Sequence, residues 1–134
     1  GQLRFSNMGG FLSLRPSSPL KELNQLAADC VTAFDRFRSP ATPQELARRR
    51  KANLSAAQDD LLRTWGYPYV MDEFRFHITL TGRVYRSEAE QITTVLKPML
   101  NPLLTKPFTI ADLVLAAEGQ DGRFCILERA KLLI

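Results

Sequence analysis

The sequence predicts an α+β domain, an antiparallel sheet with helices packed on it. Two observations at the ends of the chain point to strands: short apolar runs flank Asn7-Met8-Gly9-Gly10, and longer ones flank Glu118-Gly119-Gln120-Asp121-Gly122. A third lies between them, where apolar residues recur at three- and four-residue spacing behind clear helix-start signals.

Leu3 and Phe5, then Phe11, Leu12 and Leu14, form two strands around a turn or bulge, and Pro16 ends the second. Ser17 or Ser18 caps a helix that begins near Pro19. Its core face is Leu20, Leu23, Leu26, Ala27, Cys30, Val31, Phe34 and Phe37. Thr42-Pro43-Gln44-Glu45 starts a second helix, with a threonine cap, proline at the first position and glutamate at the third, running to about Lys51. Ser55 starts a third, with Leu61, Leu62 and Trp65 on its apolar side and Gly66 as terminator. Tyr67-Pro68-Tyr69 connects it to a strand over residues 74–80. Ser87 caps a last helix to about Leu104, which Pro98 and Pro102 stop or kink. Strands over 108–116 and 123–134 close the chain as a hairpin.

The chain has 134 residues, 45% of them hydrophobic, which builds one domain with a core but hardly two. No apolar run approaches the roughly 18 residues of a membrane span, and no signal-peptide pattern opens the chain. Cys30 and Cys125 lack metal-knuckle spacing; they read as buried free thiols of a cytoplasmic protein, with a disulfide between them as the alternative. A formal charge of +4 suits anionic substrates and falls short of a nucleic-acid signature. The densest basic run, Arg48-Arg49-Arg50-Lys51, is either a solvated helix end or a phosphate clamp or RNA-tracking patch. No ligand spacing for a metal is present, and Gly9-Gly10 lacks the lysine and serine of a phosphate loop, so neither a metal site nor a phosphate loop is expected.

In the strand 74–80, alternation puts Phe74, Phe76, Ile78 and Leu80 on one face, and Arg75, His77, Thr79 and Thr81 on the other. The first face is core. The second lines up a guanidinium, an imidazole and two hydroxyls, with alternate residues about 6.5–7 Å apart, so that one small anion spans His77 and Thr79. Histidine passes a proton near neutral pH, a hydroxyl holds a phosphoryl oxygen, and Arg75 or Arg83 neutralises phosphate charge. Against this, histidine-any-threonine recurs by chance, and a lone histidine on a solvated strand commonly has no role; His77 is nonetheless the chain's only histidine. Tyr67 and Tyr69 either stack on a substrate beside the site or anchor the connector to the core, while Trp65 is core. Asp72-Glu73 reads as a solvated acidic pair. Phe11 and Arg15 border a pocket only if other elements demand it.

His77-Ile78-Thr79-Leu80, preceded by an aromatic-polar-aromatic strand, resembles the signature of the two-histidine (2H) phosphoesterase superfamily. With Phe34-Asp35-Arg36-Phe37-Arg38, Leu46-Ala47-Arg48-Arg49-Arg50, the block from Trp65 onward, Gly9-Gly10-Phe11-Leu12 and Thr81-Gly82-Arg83, the chain looks like the bacterial 2H-like family encoded beside phosphonate-degradation operons. The resemblance covers nearly the whole chain. It implies a bilobal α+β fold with two such motifs, a small phosphorylated substrate, and a cofactor-free opening of a cyclic phosphodiester by two histidines and two hydroxyl residues. Here His77 and Thr79 supply one motif, and Arg75, Thr81, Arg83, Tyr67 and Tyr69 are the candidate substrate contacts. The second motif is missing. The chain therefore reads as the C-terminal part of a larger domain whose upstream half carries the other motif; the alternatives are pairing across a dimer and a non-catalytic phosphate-ligand or RNA binder. Little or no turnover is expected from these 134 residues alone.

Overall fold

The computed structural model describes residues 2–133 and is α+β. Strands β1 (Leu3–Asn7) and β2 (Leu12–Pro16) form an antiparallel hairpin, and β3 (Ile78–Thr79) adds to the other edge of β2, giving the order β1-β2-β3. The hairpin turn needs its glycines: Gly9 and Gly10 have φ of 63° and 104°, and the Gly10 N–H donates to Asn7 Oδ1 at 3.0 Å. Four helices follow or intervene, α1 (Lys21–Phe34), α2 (Pro43–Arg50), α3 (Ala56–Trp65) and α4 (Arg86–Leu104). Strands β4 (Asp112–Glu118) and β5 (Phe124–Lys131) make a separate antiparallel hairpin with a bulge at Leu115/Ala116.

The capping boxes expected at Thr42/Glu45 and Ser55/Gln58 both form, and Gly66 closes α3 in the left-handed conformation. Other boundaries differ. Neither Ser17 nor Ser18 caps α1; Leu20 precedes it in extended conformation with no side-chain cap. Ser87 lies inside α4, whose entry is held by the Glu88 carboxylate accepting from the Tyr85 N–H at 2.8 Å. Pro98 and Pro102 do not stop α4, which runs on to Leu104. Each proline removes one main-chain donor and crowds the carbonyl four residues back, but neither ends the helix. The final strands are shorter than expected, with 108–111 outside β4, and residue 134 of the last expected strand lies outside the described residues.

The strand expected over 74–80 shrinks to Ile78–Thr79, pairing Ser13 with Thr79 and Leu14 with Ile78. In that register the next hydrogen-bonding pair would be Pro16 with Phe76, and proline has no N–H to donate. Upstream of Ile78 the ladder stops and strict alternation goes with it.

Full burial is confined to a small set around β2: Leu12, Ser13 and Leu14, with Leu62, Pro68, Val70 and Ala89 from neighbouring elements. Phe34 and Phe37, expected in the core, are exposed, and so are Val114, Leu115, Phe124, Ile126 and Leu127 of the last hairpin. Cys125 is exposed and unpaired rather than buried. The accessible surface is 10325 Å², against about 7,100 Å² for a compact protein of this mass. Much apolar area stays open to solvent, part of it on the C-terminal hairpin and on Val95, Met99 and Leu103 of α4.

Leu62→Ala should therefore cost about 2–5 kcal/mol in urea denaturation, the range for a filled core site, while Leu127→Ala, at 63% exposure, should stay within about 0.5 kcal/mol. A second prediction concerns the α2–α3 junction, where Arg50 Nε donates to Asp59 Oδ1 at 2.6 Å and this bond holds the Asp59 carboxyl below its usual 3.8. A depressed folded-state value stabilises above the unfolded value and is lost as pH falls through the folded one. Wild type should thus lose more stability than Asp59→Asn on acidification below about pH 4, as read by thermal denaturation across pH.

Candidate functional site

The central strand β2 has a polar face as well as an apolar one. Phe5, Leu14 and Ile78 oppose one another across the three strands on one side. On the other, Arg4 opposes Arg15, and Ser6, Ser13 and Thr79 form a second row, with Ser13 Oγ donating to the Ser6 carbonyl at 3.3 Å. Past β3 the chain is tied back to β2. The Leu12 carbonyl accepts from the Leu80 N–H at 2.9 Å, the Leu12 N–H donates to Thr81 Oγ1 at 3.0 Å, and the Val84 N–H donates to the Gly10 carbonyl at 2.8 Å.

Between this sheet, α1 and the 67–77 segment opens a cleft of about 1050 Å³. It gathers five of the seven candidate residues: His77, Arg75, Arg83, Tyr67 and Tyr69. Thr79 sits in β3 and Thr81 in the following loop, and neither lines the cleft. Thr81 Oγ1 accepts from Leu12 and donates to the Gly82 carbonyl at 2.8 Å, so its proton is already committed to the fold. Because alternation ends at Ile78, Phe74 and Phe76 join Arg75 and His77 in the wall instead of turning away from it.

His77 is exposed, and its ring lies 5.8 Å from that of Phe11 between centroids. Its Nδ1 is 2.7 Å from the Arg75 carbonyl oxygen. A carbonyl only accepts, so Nδ1 carries the proton and donates, leaving Nε2 of the neutral ring with a free lone pair. The structure thus selects the tautomer that a general base requires. Arg75 Nη1 donates to the Asp72 and Phe74 carbonyls at 2.6 and 2.7 Å, which fixes the guanidinium along its own segment.

The tyrosines do not anchor their connector. Tyr67 and Tyr69 are each 40% exposed, edge-on at 5.6 Å, while Pro68 and Val70 fill the core positions. The Arg49 guanidinium covers the Tyr67 ring at 4.6 Å. The basic run is shared out, Arg48 to Glu45 and Arg50 to Asp59, and so behaves as a structural helix end with one cation beside the cleft rim. Glu73 accepts from Gln58 Nε2 at 2.9 Å, tying the cleft wall to the α3 cap. Met71, with φ of 50°, is a non-glycine residue held in a left-handed conformation within that wall.

Two cleft residues had weak sequence signals. Arg15 lines the cleft, and its Nε is buried with no hydrogen-bond partner. Phe11 is brought against His77 by the β1–β2 turn. An arginine just before the proline that ends a strand was the only hint. The charges also sort themselves. Arg38, Arg48, Arg50, Arg63, Arg86, Arg123 and Arg129 each meet a carboxylate within 4 Å, whereas among the described residues Arg15, Arg75 and Arg83 form no such pair. Cys30 is a free thiol on the α1 side of the cleft. Among the described residues no group of three or more His, Cys, Asp or Glu is placed to hold a metal ion, and no helix is long and apolar enough to cross a membrane.

Residues 1–125 match the profile of a family described as protein of unknown function (DUF1045). A ribose 1,5-bisphosphate phosphokinase PhnN of Janthinobacterium sp. (strain Marseille) is 39% identical over 125 residues, covering 90% of this chain and 28% of that protein. A protein of the same name from Laribacter hongkongensis (strain HLHK9) is 35% identical over 79 residues, 59% of this chain and 18% of its own length. The chain thus spans less than a third of the length of the curated relatives it matches. No solved structure matches it.

Thr81→Val should remove the acceptor of the Leu12 N–H and cost about 1–3 kcal/mol in chemical denaturation, while Thr81→Ser, which keeps the oxygen, should cost less than Thr81→Val. Equal losses would show that the hydroxyl does not hold the loop.

Proposed function

This chain belongs to the DUF1045 family, and from its cleft we propose that it handles phosphate esters as one half of a two-histidine-type phosphoesterase site. The observation that carries the reading is His77 itself: a single histidine with Nδ1 held by a carbonyl and Nε2 free, in a cleft with three arginines that meet no acid partner among the described residues. Nε2 takes a proton from water as the water oxygen attacks phosphorus. The opposite P–O bond breaks, and the departing oxygen is protonated by a second acid. Arg75, Arg83 and Arg15 offset the charge that builds on the phosphoryl oxygens. Thr79, the hydroxyl next but one to His77 in the motif, stands on β3 outside the cleft wall, whereas Tyr67 and Tyr69 offer ring faces to the rest of the substrate. This acid–base chemistry asks for no metal.

The 134 residues hold one histidine, so the second proton-transfer group belongs to another polypeptide segment, either more of a longer protein or a second chain. The relatives' names support a setting among phosphorylated sugars, and the resemblance to the operon-associated 2H-like family supports phosphonate degradation. The kinase activity in those names belongs to the relatives. This chain has no glycine-lysine-serine or -threonine phosphate loop, and it matches only 28% and 18% of their lengths.

The single histidine also favours a second reading, a domain that binds a phosphorylated ligand or RNA without turning it over. Assay of the longest natural form of the protein against small cyclic phosphodiesters separates the two. The phosphoesterase reading predicts hydrolysis that falls about 10²- to 10⁴-fold in His77→Ala. Saturable binding with no hydrolysis supports the binder. Hydrolysis unchanged in His77→Ala would remove His77 from the chemistry.

A further inference from the structure

A second, smaller cleft of about 430 Å³ lies on the other side of the Phe74–Phe76 segment, against the start of α1. Its charged lining is Arg4, Arg15 and Arg75, with Ser17 and Ser18 beside them and no carboxylate in the wall. Among the described residues none of these three arginines meets an acid within 4 Å, although most other arginines of the chain do. Two of them, Arg4 and Arg15, are directly opposed on β1 and β2, where like charges repel. The Arg15 Nε–H is buried without an acceptor, and a desolvated guanidinium N–H is costly to leave unpaired. Both costs disappear if a multiply charged anion lies over the polar face of the hairpin, between the Arg4 and Arg15 side chains. Arg75 is held in place by its bonds to the Asp72 and Phe74 carbonyls, and the α1 N-terminus has no side-chain cap to compete with a ligand.

We propose that the Arg4/Arg15/Arg75 cleft binds a phosphomonoester dianion, at a site that adjoins the His77 cleft and shares Arg15 and Arg75 with it but is marked by Arg4. Three uncompensated cations suit a dianion with three terminal oxygens better than a diester, which has one charge and two. The site does not depend on His77 chemistry, and Arg4 borders this cleft alone, so substitution there reports on this site.

The test is calorimetric titration of the protein with inorganic phosphate, ribose 5-phosphate and the diester dimethyl phosphate at matched ionic strength, with the arginine Nε–H signals followed by NMR. Inorganic phosphate and ribose 5-phosphate, both dianions, should bind at least tenfold tighter than dimethyl phosphate, and the Arg15 Nε–H signal should shift with saturation. Arg4→Gln should weaken phosphate about tenfold, Arg4→Lys less, and His77→Ala should leave it unchanged. An Arg15 signal that does not move, equal binding by the diester, or an Arg4→Gln protein with wild-type affinity would each overturn the proposal. Loss of phosphate binding in His77→Ala would place the anion in the larger cleft and overturn it too. If cyclic phosphodiester hydrolysis is absent while these results hold, the phosphoesterase reading fails and this site stands.

Discussion

Leu12 is the backbone junction on which the larger cleft depends. Its carbonyl accepts from Leu80 and its N–H donates to the Thr81 hydroxyl, so a side chain replaces one rung of the ladder just where β3 ends. Together with the Ser13–Thr79 and Leu14–Ile78 pairing, this pins residues 78–81 to the most buried strand of the molecule. Pro16 then prevents the ladder from continuing toward Phe76. The chain upstream is released from the sheet, and that irregular stretch, not a strand, carries Arg75 and His77. The carbonyl of Arg75 accepts from Nδ1 of His77.

The sequence made the fold class and most elements legible because their signals are local. Capping boxes at Thr42 and Ser55, the glycine stop at Gly66 and the glycine turn at Gly9-Gly10 each rest on chemistry within four residues. What it hid is non-local. The failure of alternation at residues 74–77 follows from a proline sixty residues away. The exposure of Phe34, Phe37 and the β4–β5 hairpin follows from which surfaces find partners, which spacing alone does not encode. Five of the seven candidate site residues meet in one cleft. Thr81, proposed as a ligand contact from its place in the alternation, has its hydroxyl engaged by the fold. Arg15 carried only a weak signal in the sequence because its significance is a missing partner.

The distribution of charge gives the two clefts a common logic. Acidic residues are spent on arginines at helix junctions and on the outer hairpin, as in Arg50–Asp59 and Arg129–Asp112, while the guanidinia beside the sheet's polar face are left uncompensated. Several of the guanidinia without an acid partner among the described residues thus stand at the two clefts of a chain whose formal net charge is +4.

The central claim is that the His77 cleft receives a phosphodiester at the free Nε2. Because the chain has one histidine, its ring gives one set of resonances, and these can be followed while a small cyclic phosphodiester is titrated at constant pH and ionic strength. The account predicts a saturable shift of the Nε2 and Hε1 signals, with Nδ1 still protonated and bonded, and with weaker saturation in Arg83→Ala. Ring signals that stay unmoved through the titration, or move identically with added chloride, would contradict it.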